Sequence, residues 1–309
     1  MTFVERLPRR VTVVEVGPRD GLQNEAEIVP IEAKVHFIEA LANAGLPVVE
    51  STSFVNPKAV PQLADAAEVM KRIARRPGTR YPVLVPNERG LERALAAGCD
   101  AIALFTAASE AFSQANVRAS IDETFARFAP VAVTARAAGL SIRGYVSTAV
   151  DCPYSGPVDP AIVVDVTDRL FDLGCDEVSL ADTIGTGTPQ AVDRLLNVVL
   201  HEFDPDHIAL HFHDTHGLAL ANVMIGLDYG VSVFDSAAGG LGGCPFAPGA
   251  PGNLATEKLL TLLDGLGIET GVNRAAVAQA MADLRQAVPG IGAGHGETAL
   301  TPAADHTSA

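Results

Sequence analysis

The sequence predicts an α/β protein, a (β/α)8 TIM barrel with a C-terminal helical extension, on three observations. Short β-branched runs alternate with longer helical patterns along the chain, eight times in all, as βα units of a parallel sheet do. The runs are almost wholly apolar, which suits strands buried on both faces. One corner also recurs, a helix end, a Gly and a new strand: Ala44-Gly45-Leu46, Ala97-Gly98-Cys99, Leu173-Gly174-Cys175 and Tyr229-Gly230-Val231. A doubly wound open sheet is the second choice, and no dinucleotide fingerprint speaks for it.

The strands are expected at Val11-Val16, Val48-Ser51, Tyr81-Val85, Ala101-Phe105, Ile142-Ser147, Glu177-Leu180, Ile208-Phe212 and Val231-Phe234. Apolar residues at three- and four-residue spacing predict helices between them, among them Leu63 to Ala74, Thr124 to Ala138 and Ala191 to Leu200. Residues 1–270 are then the catalytic barrel, and 271–290 a C-terminal helix packed on it, centred on Val272 to Val288. Residues 291–309 are Gly/Ala/Thr-rich and read as a flexible tail.

A formal net charge of -15 argues against nucleic acid or an anionic membrane surface as partner, because both need a clustered cationic footprint. No apolar run reaches membrane-spanning length. The four cysteines, Cys99, Cys152, Cys175 and Cys244, lie too far apart for a Cys-x-x-Cys motif and read as thiols of a cytoplasmic protein. The first strand leaves no room for a cleavable presequence, so a cytoplasmic location is expected. Cys99 and Cys175 occupy equivalent Gly-Cys-Asp corners and read as packing, while Cys152 sits in a βα loop with its role open.

The chemistry gathers around His211-Phe212-His213-Asp214. Side chains of a strand alternate faces, so His211 and His213 point the same way and form a two-toothed imidazole ligand. A pair of hydrogen-bonded core histidines is the plainer alternative, but two of them beside Asp214 are costly to bury without a partner. Catalytic groups of a barrel collect where strands end. The first strand is followed by Arg19-Asp20, the second ends at Glu50, the fifth carries Tyr145 and the sixth ends at Asp182-Thr183. After the eighth comes a Gly-rich loop, Gly239 to Asn253, which holds Cys244 and reads as a lid. Barrel closure makes strands seven, eight and one neighbours. Asp20, His211, His213 and Asn253 then form a mixed N/O site that suits Mg²⁺ or Mn²⁺, with Zn²⁺ or Fe²⁺ as alternatives.

These stretches are similar to the 3-hydroxy-3-methylglutaryl-CoA lyase family. The resemblance rests on Gly17-Pro18-Arg19-Asp20-Gly21-Leu22-Gln23-Asn24-Glu25, Ser53-Phe54-Val55, Arg143-Gly144-Tyr145-Val146-Ser147, Asp182-Thr183-Ile184-Gly185, His211-x-His213-Asp214-Thr215 and Gly240-Leu241-Gly242-Gly243-Cys244-Pro245, and it runs to about Val272. It implies a divalent cation on Asp20, His211, His213 and Asn253. It also implies retro-Claisen cleavage of the thioester to acetyl-CoA and acetoacetate, serving leucine or ketone-body catabolism. Catalysis would rest on Arg19, Asp20, His211 and Cys244, with Asp20 or His211 as the base, Arg19 facing the enolate oxygen, and Cys244 protonating the carbanion or excluding water. Gln23, Glu50, Tyr145, Asp182 and Glu257 would stand behind the ligands or against substrate.

The chain departs from the family pattern at Ala59, His216 and Leu218, where the family has Trp, Tyr and Gln, and at Thr148 and Asp151. Losing the Trp and the Tyr would widen the acyl pocket or rearrange the CoA channel. Cleavage of a longer 3-hydroxyglutaryl-CoA or a citramalyl-type ester is therefore the alternative, ahead of a Claisen-condensing acyltransferase or a barrel that binds without turnover. Lys58, Arg89 and Arg143 are the cations put forward for the CoA phosphates, and a homo-oligomer is expected.

Overall fold

The structure is a computed structural model and describes residues 3–242 and 252–292. Nine parallel strand pieces form one sheet: Thr12–Glu15, Val48–Val49, Thr52–Ser53, Val83–Leu84, Ala101–Ala107, Ser141–Ser147, Glu177–Asp182, Ile208–Phe212 and Val233–Ser236. Val48–Val49 and Thr52–Ser53 stand at the two ends of the strand order, yet they are one stretch of chain interrupted at Glu50-Ser51. Val48–Val49 pairs with the first strand and Thr52–Ser53 with the third, so the sheet closes on itself as eight strands of a barrel. Backbone bonds span the break, Glu50 N–H to the Glu15 carbonyl (2.8 Å) and Ser51 N–H to the Pro82 carbonyl (3.0 Å).

All eight expected strands exist, with shifted ends. The second is broken, because Glu50 and Ser51 lie where the chain passes from one neighbour to the other. The eighth runs Val233–Ser236 rather than Val231-Phe234, and the sixth extends to Asp182. The helix expected from Leu63 is a short turn at Pro61–Leu63 followed by Ala66–Arg72. A two-stranded hairpin, Asp151–Cys152 with Gly156–Pro157, lies between the fifth strand and its helix. All four repeated corners hold their Gly at positive φ, between 73° and 98°, where a side chain would be strained.

Helices follow every strand and cover the outside. Helix Ala219–Asp228 shows how closely they approach: a Cβ on Gly226 would lie 2.5 Å from Leu210 Cδ1 and 3.0 Å from Phe234 Cε1, on strands seven and eight. Such contact fixes the two strands that carry the imidazoles and their neighbours. The C-terminal helix Arg274–Ala287 buries Val277, Ala280, Met281 and Leu284 and lies along helix Ile31–Asn43. Met281 also packs under Gly239, in the turn after strand eight. Among the described residues, no helix is long and apolar enough to cross a membrane.

Candidate active site

The site begins where the first strand ends. Residues Gly17–Gly21 wind into one wide turn in which a single carbonyl, that of Val16, accepts the N–H groups of Arg19 (3.1 Å), Asp20 (2.7 Å) and Gly21 (3.2 Å). The turn presents Arg19 and Asp20 side by side. Arg19 is buried; its Nη1 lies 2.7 Å from Asp20 Oδ1 and its Nη2 2.8 Å from Glu50 Oε2. Burial alone would favour discharge of the guanidinium, but Glu50 and Asp20 outweigh it and hold the charge. Among the described residues Arg19 Nε is buried without a hydrogen-bond partner, an uncommon state for a charged donor and one that suits an oxygen arriving with substrate.

Across the mouth the imidazoles of His211 and His213 stack obliquely, ring centres 5.2 Å apart. Asp20, His211 and His213 each bring a ligand atom to within 4.8 Å of the others. Burial raises the Asp20 carboxyl, but Arg19, then His211, His213 and the Asn253 amide, outweigh it and bring the group to about 2. Burial, followed by His211, pushes His213 down to about 4, so its ring is neutral near pH 7. Among the described residues, His213 Nδ1 and Asn253 Oδ1 are buried without partners. The amide of Asn253 donates instead to Asp20 Oδ2 (2.8 Å) and to the Leu241 carbonyl (2.9 Å). A carboxylate, two imidazoles and an unpartnered amide oxygen fit a divalent cation. Asp214 turns away from the set to receive the Ala219 N–H (3.2 Å) and Lys258 Nζ (3.0 Å).

Comparison with known proteins shows the family. The HMGL-like family model matches residues 10–288. The chain belongs to the HMGL-like family. It is 57% identical over 267 residues to the mitochondrial hydroxymethylglutaryl-CoA lyase of Rattus norvegicus, covering 86% of this chain and 82% of that protein. The crystal structure of hydroxymethylglutaryl-CoA lyase from Pseudomonas aeruginosa superposes with a TM-score of 0.89 at 49% identity, over 91% of this chain and 94% of that one. An HMG-CoA lyase from Acinetobacter baumannii in complex with coenzyme A and 3-methylmalate superposes with a TM-score of 0.86 at 36% identity, over 93% and 92% of the two chains.

In this HMGL-like barrel a cavity of about 630 Å³ runs from Arg19, Asp20, His211 and His213 toward strands two to five. Gln23, Ala59, Tyr145, Ser147 and Thr183 line it, and among the described residues Arg127 is its one cation besides Arg19. Glu50 and Tyr145 stand behind Arg19, since Tyr145 Oη donates to Glu50 Oε2 (3.2 Å). Asp182 and Glu257 act on backbone: Asp182 Oδ2 receives the Gly187 N–H (2.9 Å) and Glu257 the Gly239 N–H (2.9 and 3.1 Å). Cys244 lies outside the described residues. Cys99 and Cys175 are buried and pushed to about 12 by that burial, as packing thiols are. Arg143 is not a CoA cation. It is buried inside the barrel between Glu177 and Asp235, 2.7 Å from each, because its position on the fifth strand faces the lumen. Lys58 and Arg89 are exposed and do not line the cavity.

Two buried carboxylates were missed from sequence. Asp235 Oδ2 lies 3.2 Å from His211 Nδ1, an arrangement that leaves Nε2 as the open nitrogen. Glu15 Oε1 receives the N–H of Gly17 (2.8 Å) and of Ala238 (2.9 Å), and Thr256 Oγ1 lies 2.7 Å from Oε2. It therefore ties the Arg19-Asp20 turn to the loop after strand eight. The signal for Glu15 was a carboxylate inside an apolar strand; Asp235 lies one residue past the expected end of strand eight at Phe234.

Burial lifts Glu15 to about 8, against the pull of Thr256 and the two amides. The folded protein thus keeps a proton there that an unfolded chain releases near pH 4.5. This contribution to stability is complete below pH 4.5 and is lost as pH rises toward 8. Glu15→Gln keeps an acceptor for both amides and a donor for Thr256. Thermal unfolding should therefore fall less steeply between pH 5 and 8 in this variant than in wild type, an outcome checked by melting both across that range. An equal slope would show that Glu15 folds ionised.

Proposed function

We propose that this chain is a divalent-metal-dependent carbon–carbon lyase that cleaves 3-hydroxy-3-methylglutaryl-CoA to acetyl-CoA and acetoacetate. One observation carries the reading: a buried arginine with an unused Nε–H stands against a carboxylate and two imidazoles at the head of a cavity large enough for an acyl thioester. Cleavage requires a proton to leave the tertiary hydroxyl and a pair of electrons to arrive on the thioester oxygen. The site separates those tasks.

Asp20, His211, His213 and Asn253 would hold the cation, Mg²⁺ or Mn²⁺ by the predominance of oxygen donors once substrate joins. When bound, it lowers the pKa of the substrate hydroxyl and fixes its geometry. Asp20 takes the hydroxyl proton, and Asp235 keeps His211 in the tautomer whose Nε2 is open to the cation. As the carbonyl of acetoacetate forms, the bond between the second and third acyl carbons breaks and its electrons move to the thioester as an enolate. Arg19 meets that oxygen with a charge it cannot lose. Cys244 then supplies the proton that completes acetyl-CoA, or closes the site against water. Arg127, exposed and lining the cavity, would meet a CoA phosphate.

Gln23 and Ala59 line the same cavity. A cytoplasmic location, a part in leucine catabolism and assembly into a homo-oligomer belong to the same proposal; fractionation, growth on leucine and sedimentation test them. The activity itself is tested by incubating purified protein with the thioester and Mg²⁺ or Mn²⁺ and measuring acetoacetate. Acetoacetate released only with metal is the expected result, and no product with either ion would overturn the assignment.

A further inference from the structure

We propose that Arg143 is a positioning residue shared by the two halves of the site, setting His211 through Asp235 and Arg19 through Tyr145 and Glu50. The inference rests on the lyase reading for the meaning of its kinetic half and stands without it for the metal half. Each nitrogen of the Arg143 guanidinium has its own partner: Nε meets Glu177 Oε1, Nη1 meets Tyr145 Oη and Nη2 meets Asp235 Oδ1, all at 2.7 Å. Two chains leave from there. In the first, the other Asp235 oxygen takes His211 Nδ1 (3.2 Å) and Ser179 Oγ (3.0 Å). In the second, Tyr145 Oη donates to Glu50 Oε2 (3.2 Å), the same oxygen that receives Arg19 Nη2 (2.8 Å).

Apart from Glu177, at the partly exposed edge, the network is enclosed: Arg143 is 7% exposed, Tyr145 4%, Asp235 1% and Glu50 0%. A buried ionic network adds little stability over apolar packing of the same shape, whereas breaking it leaves a charge without a partner. Its value is then geometric, and it holds one arrangement because the alternatives strand a carboxylate in the core. Three divergent bonds also need a planar fork. A lysine ammonium, a single point on a shorter stem, reaches at most one of the two chains.

The test combines two readouts on Arg143→Lys, Asp235→Asn and Tyr145→Phe: Mn²⁺ affinity of the substrate-free protein by electron paramagnetic resonance, and kcat and KM separately. Asp235→Asn should weaken Mn²⁺ binding by about ten- to a hundredfold. Tyr145→Phe should lower kcat and leave Mn²⁺ affinity as in wild type, and Arg143→Lys should do both. The Arg143→Lys/Asp235→Asn double variant should bind Mn²⁺ no more weakly than Asp235→Asn alone, since both act on one chain to His211. Nitrogen-15 spectra of the imidazoles should show His211 losing its fixed Nδ1–H tautomer in both single variants.

Arg143→Lys with wild-type Mn²⁺ affinity and kcat, or losses that add fully in the double variant, would overturn the proposal. Should Arg143→Lys fail to fold, the Asp235→Asn/Tyr145→Phe cycle tests the same coupling with the arginine in place: non-additive changes in kcat support it and strict additivity refutes it. If the wild type cleaves no 3-hydroxy-3-methylglutaryl-CoA, the lyase reading falls. The Mn²⁺ and tautomer results would then still decide the metal half.

Discussion

Replacing Arg19 with Met lowers kcat by on the order of 10²–10³-fold, the usual loss when a donor aimed at a developing oxyanion is removed, while Mn²⁺ binding becomes no weaker. The two effects separate because Arg19 touches the metal set only through Asp20, 2.7 Å away. Without the guanidinium, Asp20 loses a competitor for its charge and is freer to bind a cation. Glu50 fares worse: it is fully buried, and Arg19 is its direct ion-pair partner. An unpaired buried carboxylate is costly, so Arg19→Met should also melt earlier. The double variant Arg19→Met/Glu50→Gln removes the stranded charge. It should regain stability and none of the lost kcat, whereas recovery of both would mean that Arg19 serves the fold rather than the enolate.

His211 and His213 were legible because a strand has a period of two: the spacing alone puts both rings on one face. Asp20 and Asn253 needed one more step, the closure of the barrel, which makes the first, seventh and eighth strands neighbours across 233 residues of sequence separation. Asp235, Glu15 and Arg143 stayed hidden because periodicity says that residues share a face without saying whether that face is the lumen or the helix layer. A charge on an apolar strand is informative only once that is known. Arg143, judged by charge alone, passes for a phosphate ligand; the register of the fifth strand against the sixth, with Arg143 opposite Glu177, turns it inward. The broken second strand was equally out of reach, since its interruption at Glu50-Ser51 follows from pairing with different neighbours on its two sides.

Asp235 and Glu15 also show how a barrel assembles a site from loops that share no local sequence. Glu15 fixes the backbone entering the Arg19-Asp20 turn to that entering the turn after strand eight, and Asp235, on strand eight, sets the His211 ring on neighbouring strand seven. Position is thus set by buried carboxylates that lie outside the Asp20, His211 and His213 cluster.

His213→Ala is the substitution that should weaken Mn²⁺ binding most, beyond the roughly ten- to hundredfold expected for removing a supporting partner, with turnover falling in parallel. The reason lies in what holds the ring. Among the described residues, His213 is buried with no hydrogen-bond partner for its Nδ1, and Asp20 and His211 are the charged or titratable groups that act on it. A neutral imidazole with no other use for its nitrogen is costly to bury unless a cation engages it. The metal-free protein carries a second signature. Burial, then His211, lower the ring from 6.5 to about 4, so between those values the unfolded chain binds a proton that the folded one refuses. Stability must therefore fall as pH drops through 6.5 toward 4. His213→Ala lacks this group, and its melting temperature should decline less over that window. Both measurements use the protein without substrate. If the variant keeps wild-type Mn²⁺ affinity and the same acid sensitivity, His213 is a core histidine and the cation, if held, rests on Asp20, His211 and Asn253.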